Sequence, residues 1–263
     1  MRKIDYHMHT CFSADSDASP EEHILKAIDM GLEEICFTDH HDVEFPIEPF
    51  ILDVQSYTKE LQRLQQKYKN QITIKIGIEL GLDPMYKDEI NRVAASYPFD
   101  FVIGSIHAVG LTEFIEAKFF EGKTKEQAHR DYFNQCLACI ETFDCFNVFG
   151  HIDYIERYGI YEDNTVHTEL YLDIIDQCLK TLISKNKGLE VNTSGYKLRN
   201  EGFPKRQILQ RYYDLGGRII TIGTDSHDSS RVGENVESVM KILSEIGFED
   251  VTTFTKQQPD ICI

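Results

Sequence analysis

The sequence predicts an α/β fold in which helices cover a parallel sheet. Segments of strand and helix character alternate from residue 3 to residue 246, and such alternation is typical of this fold class. No Pro-, Gly- or Ser-rich linker, repeat or low-complexity tract interrupts the pattern. We therefore expect residues 1–263 to form one domain, a barrel of about seven βα units. An open, doubly wound sheet is the alternative, although no GxGxxG motif follows the first strand.

Seven short runs are predicted to be the strands of this sheet, because they are apolar or rich in β-branched residues. ITIKIGIEL is strongly β-branched, and FDFVIGSI is apolar over most of its length. The predicted strands are residues 3–7, 34–39, 72–80, 100–106, 147–150, 189–192 and 218–223.

Helices are predicted between these strands. The first opens with Ser19 in the sequence SPEE, which combines an N-cap serine, a proline at the first helical position and two acids in the first turn. Gly31 closes this helix. The other predicted helices are residues 49–68, 87–96, 124–143, 168–185, 204–215 and 236–246.

The chain is strongly acidic. It has 27 Lys and Arg residues against 44 Asp and Glu residues, which gives a formal net charge of −17. Nucleic acids and anionic membranes attract clustered positive charge, so the composition argues against both as main partners. A small anionic substrate remains compatible with this charge, because a bound metal ion reverses the local sign.

The cysteines and the apolar segments predict a reduced, cytoplasmic protein. Seven cysteines occur at irregular spacing, no signal-type apolar segment precedes the first strand, and no apolar run is long enough to span a bilayer. Cys136 and Cys139 form a CxxC, but it lies in a predicted helix and has no second CxxC. We favour ordinary half-buried thiols over a zinc or redox role there.

Polar side chains end every predicted strand. In parallel α/β folds these carboxyl ends meet at one edge, where the functional site lies. Seven of the ten histidines fall at such ends, whereas His23, His129 and His167 lie in or beside helices and are expected to be solvated or capping residues. The strand-end residues are His7, His9, Asp39, His40, His41, Glu79, His107, His151, Asn192, Asp225 and His227.

Such a cluster predicts a metal centre. Seven protonated imidazoles at one sheet edge would repel one another, whereas neutral imidazoles with interleaved carboxylates are the ligands of divalent first-row metals. His7 and His9 are two positions apart, so their side chains face the same way and can bind one ion. The following turn can bring Asp15 to a neighbouring ion. Zinc, manganese and iron all suit this donor set.

The motifs HMH, TDHH, SIH, GHID and GTDSH, with a strand ending in Glu between the second and third, occur in an order that resembles the polymerase-and-histidinol-phosphatase (PHP) superfamily. GHIDYIERYG, EVNTSG and TDSHDSSRVGEN are similar to its histidinol-phosphate phosphatase branch. The resemblance implies a distorted TIM-like (β/α)7 barrel of the PHP type. It also implies a trinuclear metal site at the mouth of the barrel.

The same resemblance implies a ligand set for three divalent ions, with Glu79 bridging the first two. Some relatives carry histidine where Asp15 stands. The implied ligands are His7, His9, Glu79 and Asp225 for the first ion, Glu79, His107 and His151 for the second, and Asp15, His40 and His227 for the third.

We expect this site to hydrolyse L-histidinol phosphate to L-histidinol and phosphate, a step of histidine biosynthesis. A metal-bridging hydroxide would attack phosphorus in line, so no serine or cysteine nucleophile is needed, and no GxSxG motif is present. The leaving alkoxide needs a proton, and His41 and Asp17 are the candidate general acids. Second-sphere hydrogen bonding to the metal ligands is the alternative role for both.

Several loop residues are candidates for contact with the substrate. Arg157 and Arg199 follow the fifth and sixth strands and are predicted to clamp the phosphate and assist catalysis, because a guanidinium pairs well with phosphate oxygens. Lys197 and Arg231 are weaker candidates of the same kind. The remaining candidates are Ser194 and Asn192 for hydrogen bonds, and Glu113 and Glu116 for the ammonium or imidazole of histidinol phosphate.

Two other functions remain open. The same site could act on another small phosphomonoester, a nucleotide or a phosphodiester. The low positive charge and the lack of appended domains argue against a polymerase-linked exonuclease. The second alternative is a metal-storing or regulatory module that binds ions without turning over any phosphate ester.

Overall fold

A computed structural model describes residues 1–43, 50–109, 112–113 and 117–260, and most of its strands run parallel. The strands are β1 (Ile4–Asp5), β2 (Glu34–Phe37), β3 (His40–His41), β4 (Thr73–Gly81), β5 (Phe101–Ser105), β6 (Ala108–Val109), β7 (Thr112–Glu113), β8 (Val148–Phe149), β9 (Gly188–Asn192), β10 (Ile220–Gly223), β11 (Thr253–Thr255) and β12 (Gln258–Asp260).

Seven parallel positions around the sheet form the barrel predicted from the alternation of strands and helices. We call the strand or strand pair at each position a stave. Their order is β1, β2, β4, β5, β8, β9 and β10, and β3 continues β2 along β4 in the same register. Three backbone hydrogen bonds join the ends of the first and last staves, from Tyr6 N to Ile222 O (2.8 Å), from Asp225 N to His7 O (2.8 Å) and from His9 N to Ser226 O (2.9 Å). The prediction of a seven-stranded barrel is thus confirmed.

Amphipathic helices cover the outside of the barrel. Ser19 and Glu22 form a capping box at α1, as its opening sequence predicts, and Thr124 and Gln127 form another at α4. Among the described residues, no helix is both long and apolar enough to cross a membrane. The helices are α1 (Pro20–Asp29), α2 (Val54–Tyr68), α3 (Lys87–Ala94), α4 (Lys125–Thr142), α5 (Leu172–Ser184), α6 (Arg206–Asp214) and α7 (Val236–Ile246).

A C-terminal hairpin, β11 and β12, covers the amino-terminal end of the barrel, which the sequence did not predict. The ring of Phe254 packs 5.0 Å from that of Phe101, and Phe254 N donates to the Tyr6 hydroxyl at 3.2 Å. Thr252 N donates to Ile220 O at 2.7 Å. The hairpin thus packs against this end of the barrel, opposite the carboxyl ends of the strands.

The interior is narrow, and glycines allow the staves to approach one another. Gly77 lies on β4, and a Cβ atom there would lie 2.7 Å from Cys36 Sγ, 2.8 Å from Phe101 O and 3.0 Å from Phe37 O. Two of these atoms belong to the backbone of neighbouring staves and cannot rotate away. The barrel therefore has its present diameter at this level only if the residue at position 77 lacks a side chain.

We predict that Gly77→Ala lowers the free energy of unfolding by about 2–3 kcal/mol, because overpacking forces backbone shifts. Gly104→Ala is the matched control in β5, since its Cβ atom would meet mainly side-chain atoms, such as Leu82 Cδ1 at 2.7 Å. That variant should lose only about 1 kcal/mol. Urea unfolding measures both values, and equal midpoints for the two variants would contradict the account.

Candidate metal centre and substrate pocket

The carboxyl ends of the staves bring the nine predicted metal ligands into one continuous cluster. Every stave except β9 supplies at least one of them, either from the strand itself or from the loop that follows it. The ligand atoms lie within a few ångströms of one another, and most of the side chains are buried. The cluster consists of His7, His9, Asp15, His40, Glu79, His107, His151, Asp225 and His227.

Glu79 lies at the centre of this cluster and is completely buried. Its Oε2 atom lies 3.1 Å from His7 Nε2 and 3.5 Å from His9 Nε2. Its Oε1 atom lies 3.5 Å from His107 Nε2 and 3.3 Å from His151 Nε2. Oε2 also lies 2.9 Å from His40 Nδ1. The two carboxylate oxygens therefore face two different sets of imidazoles, which is the geometry that a bridging ligand needs.

Asp15, His40 and His227 form the third group, at the open edge of the cluster. The Asp15 Oδ2 atom lies 3.0 Å from His227 Nε2 and 3.7 Å from His40 Nε2. The His9 ring stacks against both imidazoles of this group. Its centroid lies 4.0 Å from that of His40 and 4.2 Å from that of His227. The Asp15 side chain is 39% exposed, so this group borders on solvent.

Asp225 and His151 have unusual backbone conformations, with φ angles of 53° and 22°. Asp225 Oδ1 lies 3.3 Å from His9 Nε2, and Asp225 Oδ2 accepts a hydrogen bond from Asn192 Nδ2 at 3.3 Å. Positive φ values are costly for residues with a Cβ atom and are concentrated at functional sites. Both residues adopt them at the point where a strand end must aim a side chain into the centre.

The donor atoms of this cluster fit divalent metal ions. His7 Nε2, His9 Nε2 and Glu79 Oε2 are buried and make no hydrogen bond within the described part of the chain, although they lie within 4.8 Å of one another. Burying unpaired polar atoms so close together is costly unless a cation lies among them. Imidazole nitrogens and carboxylate oxygens are the donors that zinc and other first-row divalent ions take.

The electrostatics of Glu79 agree with a ligand role. Burial alone raises the pKa of this carboxyl, but the charges of His7, His40 and His107 outweigh that effect and hold the pKa well below its usual value. Positive charge around Glu79 thus favours its ionised form, which is the form that binds metal.

Two buried carboxylates in contact with this cluster were missed in the sequence. Asp42 Oδ2 lies 2.9 Å from His107 Nδ1, and Glu190 contacts His7 Nδ1. A signal for both was present. Asp42 ends the run TDHHD, and Glu190 lies two positions before the end of the predicted strand LEVN, so strand alternation places its side chain toward the barrel interior.

A cavity of about 390 Å³ opens above the cluster. Its wall combines three aromatic rings, three cations and two carboxylates with the metal-ligand side chains. Besides those side chains and Asp42, the lining consists of Phe50, Tyr154, Tyr158, Arg157, Lys197, Arg231 and Asp228.

The three cations end three short 3-10 turns, which follow the neighbouring staves β8, β9 and β10. The turns are Tyr154–Arg157, Thr193–Lys197 and Ser229–Arg231. Each turn places its last side chain at the rim of the cavity. The adjacency of the three staves therefore gathers positive charge on one side of the mouth.

Arg157 is the rim cation best placed to bind an anion. Its guanidinium packs over the rings of Tyr154 and Tyr158, with 5.5 and 6.0 Å to the centroids, and it lies 3.5 Å from Ser194 Oγ. No ion pair joins Arg157 to a carboxylate in the described ranges, whereas Arg231 pairs with Glu234 at 2.9 Å.

Arg199, predicted to clamp phosphate, is not among the cavity-lining residues of the described chain, and its charge is paired. Its guanidinium lies 3.0 Å from Asp153 Oδ2 and 2.6 Å from Glu156 Oε1, in a mostly buried ion-pair network that Lys205 completes. Only 13% of the side chain is exposed. Arg199 does lie on the loop after the sixth predicted strand, as expected. Two acids in the GHIDYIER segment form ion pairs with its guanidinium.

His41, a predicted general acid, also faces away from the cluster and is not among the cavity-lining residues of the described chain. His40 and His41 pair with Glu79 and Leu80 on β4, and alternation sends His41 toward the helices. His41 Nδ1 accepts a hydrogen bond from Leu52 N at 3.2 Å. Burial lowers the pKa of this imidazole.

The remaining predicted residues have other placements. Asp17 is exposed and is not among the cavity-lining residues of the described chain. Asn192 and Ser194 are buried and support Asp225 and Arg157 respectively, instead of lining the cavity. The backbone of Glu113 lies in β7, but its side chain lies outside the described features, as does all of Glu116.

The three helix-associated histidines lie apart from the cluster, as predicted, but two of them are not solvated. His23 and His129 are completely buried, and the His129 ring packs 5.8 Å from that of Tyr171. Burial, followed by the charge of Lys125, lowers the pKa of His129 to about 4. His167 is 46% exposed.

Comparisons with known proteins agree with this geometry. The chain is 41% identical over 262 residues to histidinol-phosphatase from Lactococcus lactis. The aligned region covers 99% of this chain and 97% of that protein. It is 32% identical to a probable histidinol-phosphatase from Clostridium acetobutylicum, and that alignment covers 94% of this chain and 95% of the relative.

The crystal structure of histidinol phosphate phosphatase from Lactococcus lactis, complexed with zinc, L-histidinol and phosphate, superposes with a TM-score of 0.93 at 40% identity. The match covers 99% of both chains. Residues 5–194 match the PHP domain family, which is more than half of the chain. The resemblance seen in the motifs is therefore confirmed, and this chain belongs to the PHP domain family.

Proposed function

We propose that this protein is a metal-dependent phosphomonoesterase that hydrolyses L-histidinol phosphate to L-histidinol and phosphate, a step of histidine biosynthesis. The observation that carries the proposal is the cluster of nine ligand-type side chains beneath a rim of three cations. The relative that is 41% identical is a histidinol-phosphatase. The similar crystal structure holds zinc with L-histidinol and phosphate, which are the two products of this reaction.

The metal centre is proposed to hold three divalent ions. When bound, such ions lower the pKa of water, so that it attacks phosphorus, and they neutralise charge on the phosphate oxygens. Zinc fits the donor set and is present in the similar structure, and manganese and iron accept the same nitrogen and oxygen donors. The proposed ligands are His7, His9, Glu79 and Asp225, then Glu79, His107 and His151, then Asp15, His40 and His227.

The carboxylates of the centre reduce the net positive charge that bound ions would offer to a phosphate. Asp15, Asp42, Glu79, Glu190 and Asp225 lie in or against the ligand cluster and together carry a charge that nearly cancels that of three divalent ions. Little net positive charge is left there for a phosphate dianion. The rim cations therefore add to the electrostatic attraction that bound ions would provide.

Arg157 is the proposed phosphate clamp, with Lys197 and Arg231 beside it. The two tyrosine rings under the Arg157 guanidinium fix its plane, which favours bidentate contact with phosphate oxygens. Ser194 Oγ accepts a hydrogen bond from the same group at 3.5 Å. Because Arg157 has no carboxylate partner in the described chain, binding phosphate breaks no ion pair.

The organic part of the substrate meets the remainder of the cavity wall. Phe50 offers an apolar surface to the imidazole, and Asp228 lies at the rim, where its carboxylate suits an ammonium group. Glu113 stays a prediction for the same ammonium. Of the two predicted general acids only Asp17 remains, on the exposed loop after β1, since His41 faces the helices.

Location and domain organisation are part of the proposal. None of the six cysteines in the described part of the chain forms a disulfide, which suits a reducing compartment and therefore the cytoplasm. A single domain over residues 1–263 agrees with a barrel whose first and last staves are hydrogen-bonded to each other.

Phosphate release from L-histidinol phosphate tests the function directly. We expect this substrate to exceed a panel of other phosphomonoesters and one phosphodiester by at least about 100-fold in kcat/KM, because a site built to pair polar substrate groups rejects analogues that lack them. Metal content is measured on the same sample, and removing the metal with a chelator should abolish activity.

Two outcomes would contradict the proposal. A higher kcat/KM for another ester would leave the metal chemistry intact but remove the assignment to histidinol phosphate. Bound metal without turnover of any ester would favour the metal-storing module.

His9→Ala tests the first-ion ligands. Its Nε2 atom faces both Glu79 and Asp225, so the variant should lose bound metal and lower kcat/KM at least about 100-fold, since bound metal contributes several kcal/mol to transition-state stabilisation. His167→Ala removes an exposed histidine and serves as the control. Metal analysis and steady-state kinetics measure both effects, and full activity of the first variant would exclude His9 as a ligand.

Arg157→Ala and Arg199→Ala form a matched pair that separates binding from stability. Arg157→Ala should lower kcat/KM about 10- to 100-fold, mainly through KM, because charge-assisted hydrogen bonds contribute about 1.5–3 kcal/mol. Its melting temperature should stay near that of the wild type.

Arg199→Ala should instead destabilise the fold by about 3–5 kcal/mol, because it leaves Asp153 buried without its partner. Steady-state kinetics and thermal unfolding of both variants measure the contrast. An Arg199→Ala variant with wild-type stability and a raised KM would reverse our assignment of the two arginines.

A further inference from the structure

Glu190 is a buried carboxylate beneath the metal centre that the proposed reaction does not use. It lies on β9, is 1% exposed, and is not among the residues that line the cavity. We propose that Glu190 is a positioning residue that fixes the ring of His7 and the backbone of His151, one on each side of Glu79. This inference rests on the metal-dependent function proposed above.

Both oxygens of Glu190 act as acceptors. Oε1 contacts His7 Nδ1, and Oε2 accepts hydrogen bonds from His151 N at 3.0 Å and from Asn192 Nδ2 at 3.4 Å. Since Asn192 Nδ2 also donates to Asp225 Oδ2, one small network reaches three of the proposed ligands.

The contact with His7 fixes which ring nitrogen carries the proton. A carboxylate at Nδ1 keeps the proton there, so the lone pair of the neutral ring lies on Nε2. That atom lies 3.1 Å from Glu79 Oε2 and faces the centre. Without the carboxylate, the proton can move to Nε2, and a protonated Nε2 cannot bind metal.

The contact with His151 holds a strained backbone. The φ angle of His151 is 22°, a conformation that persists only where surrounding contacts impose it. The hydrogen bond from its N–H to Glu190 is one such contact, and it leaves His151 Nε2 at 3.3 Å from Glu79 Oε1. Glu190 thereby influences a ligand at each oxygen of the bridging carboxylate.

The neighbouring stave leaves room for this arrangement. A Cβ atom at Gly223 would lie 2.6 Å from Glu190 Oε1 and 2.2 Å from His7 Cβ, so any other residue at this position would separate the two. The close contact between Glu190 and His7 therefore depends on the adjacent strand as well as on the pair itself.

Glu190→Gln tests the proposal, because the amide has the same shape but only one acceptor oxygen. If its NH2 group faces His7, it donates to Nδ1 and moves the proton to Nε2. If its NH2 group faces His151, two N–H donors meet. Either way we expect one zinc ion to bind about 10- to 100-fold more weakly than in the wild type, the usual effect of changing an outer-sphere partner.

Zinc is titrated into metal-free protein against a competing chelator, so the readout does not depend on any substrate. Glu34→Gln is the control. Glu34, on β2, accepts a hydrogen bond from the hydroxyl of Tyr6, which directly follows β1. A glutamine at position 34 can accept the same hydrogen bond. Both variants should unfold at similar temperatures without metal, which separates positioning from a purely structural role.

Wild-type zinc affinity in Glu190→Gln would overturn the proposal. If that variant does not fold, Glu190→Asp carries the same test, because its shorter carboxylate cannot reach both partners and should weaken the same ion. The inference and the proposed function fail separately. A wild-type protein that binds zinc but prefers another ester loses only the substrate assignment, whereas normal zinc binding by the Glu190 variants removes only the positioning role.

Discussion

The burial of Glu79 is the constraint on which the centre depends. An ionised carboxylate without solvent contact is costly to bury, and the cost is offset only by opposite charge or hydrogen bonds close by. Ser105 donates one hydrogen bond to Oε1 at 2.6 Å, and imidazoles surround both oxygens. When neutral, those imidazoles present lone pairs to the same space, so cations between them and the carboxylate are what balance the site.

This requirement extends outward through the barrel. The ligands must come from almost every stave, because no single strand can surround one carboxylate. The backbone strain at His151 and Asp225 is the cost of aiming side chains from strand ends into one small volume. Glu190 and Asn192 restrain these ligands from below, and the C-terminal hairpin packs against the far end of the barrel.

The barrel, and the meeting of the predicted ligand side chains at one end of it, could be predicted from the sequence because both follow from repeating rules. Strand–helix alternation specifies the sheet, and strand ends specify where polar side chains meet. Two placements differ from the expectation, one because strand alternation was not applied to adjacent residues and one because it depends on a contact between distant parts of the chain. His41 is next to the proposed ligand His40 in the sequence but lies on the opposite face of the strand. Once His40 is known to pair with Glu79, the alternation rule directs the His41 side chain away from the cluster. The charge of Arg199 is bound by Asp153 and Glu156, and only the folded chain shows that pairing.

The distribution of charge explains how so acidic a chain can serve an anionic ester. The carboxylates lie in the centre, where bound ions offset them, and the cations lie at the rim on turns after three neighbouring staves. A phosphate that enters the cavity therefore passes cationic side chains before it reaches the ligand cluster. Because β8, β9 and β10 are adjacent, this positive charge lies on one side of the mouth only. Strand order, more than the number of cations, thus determines the side from which the phosphate is held.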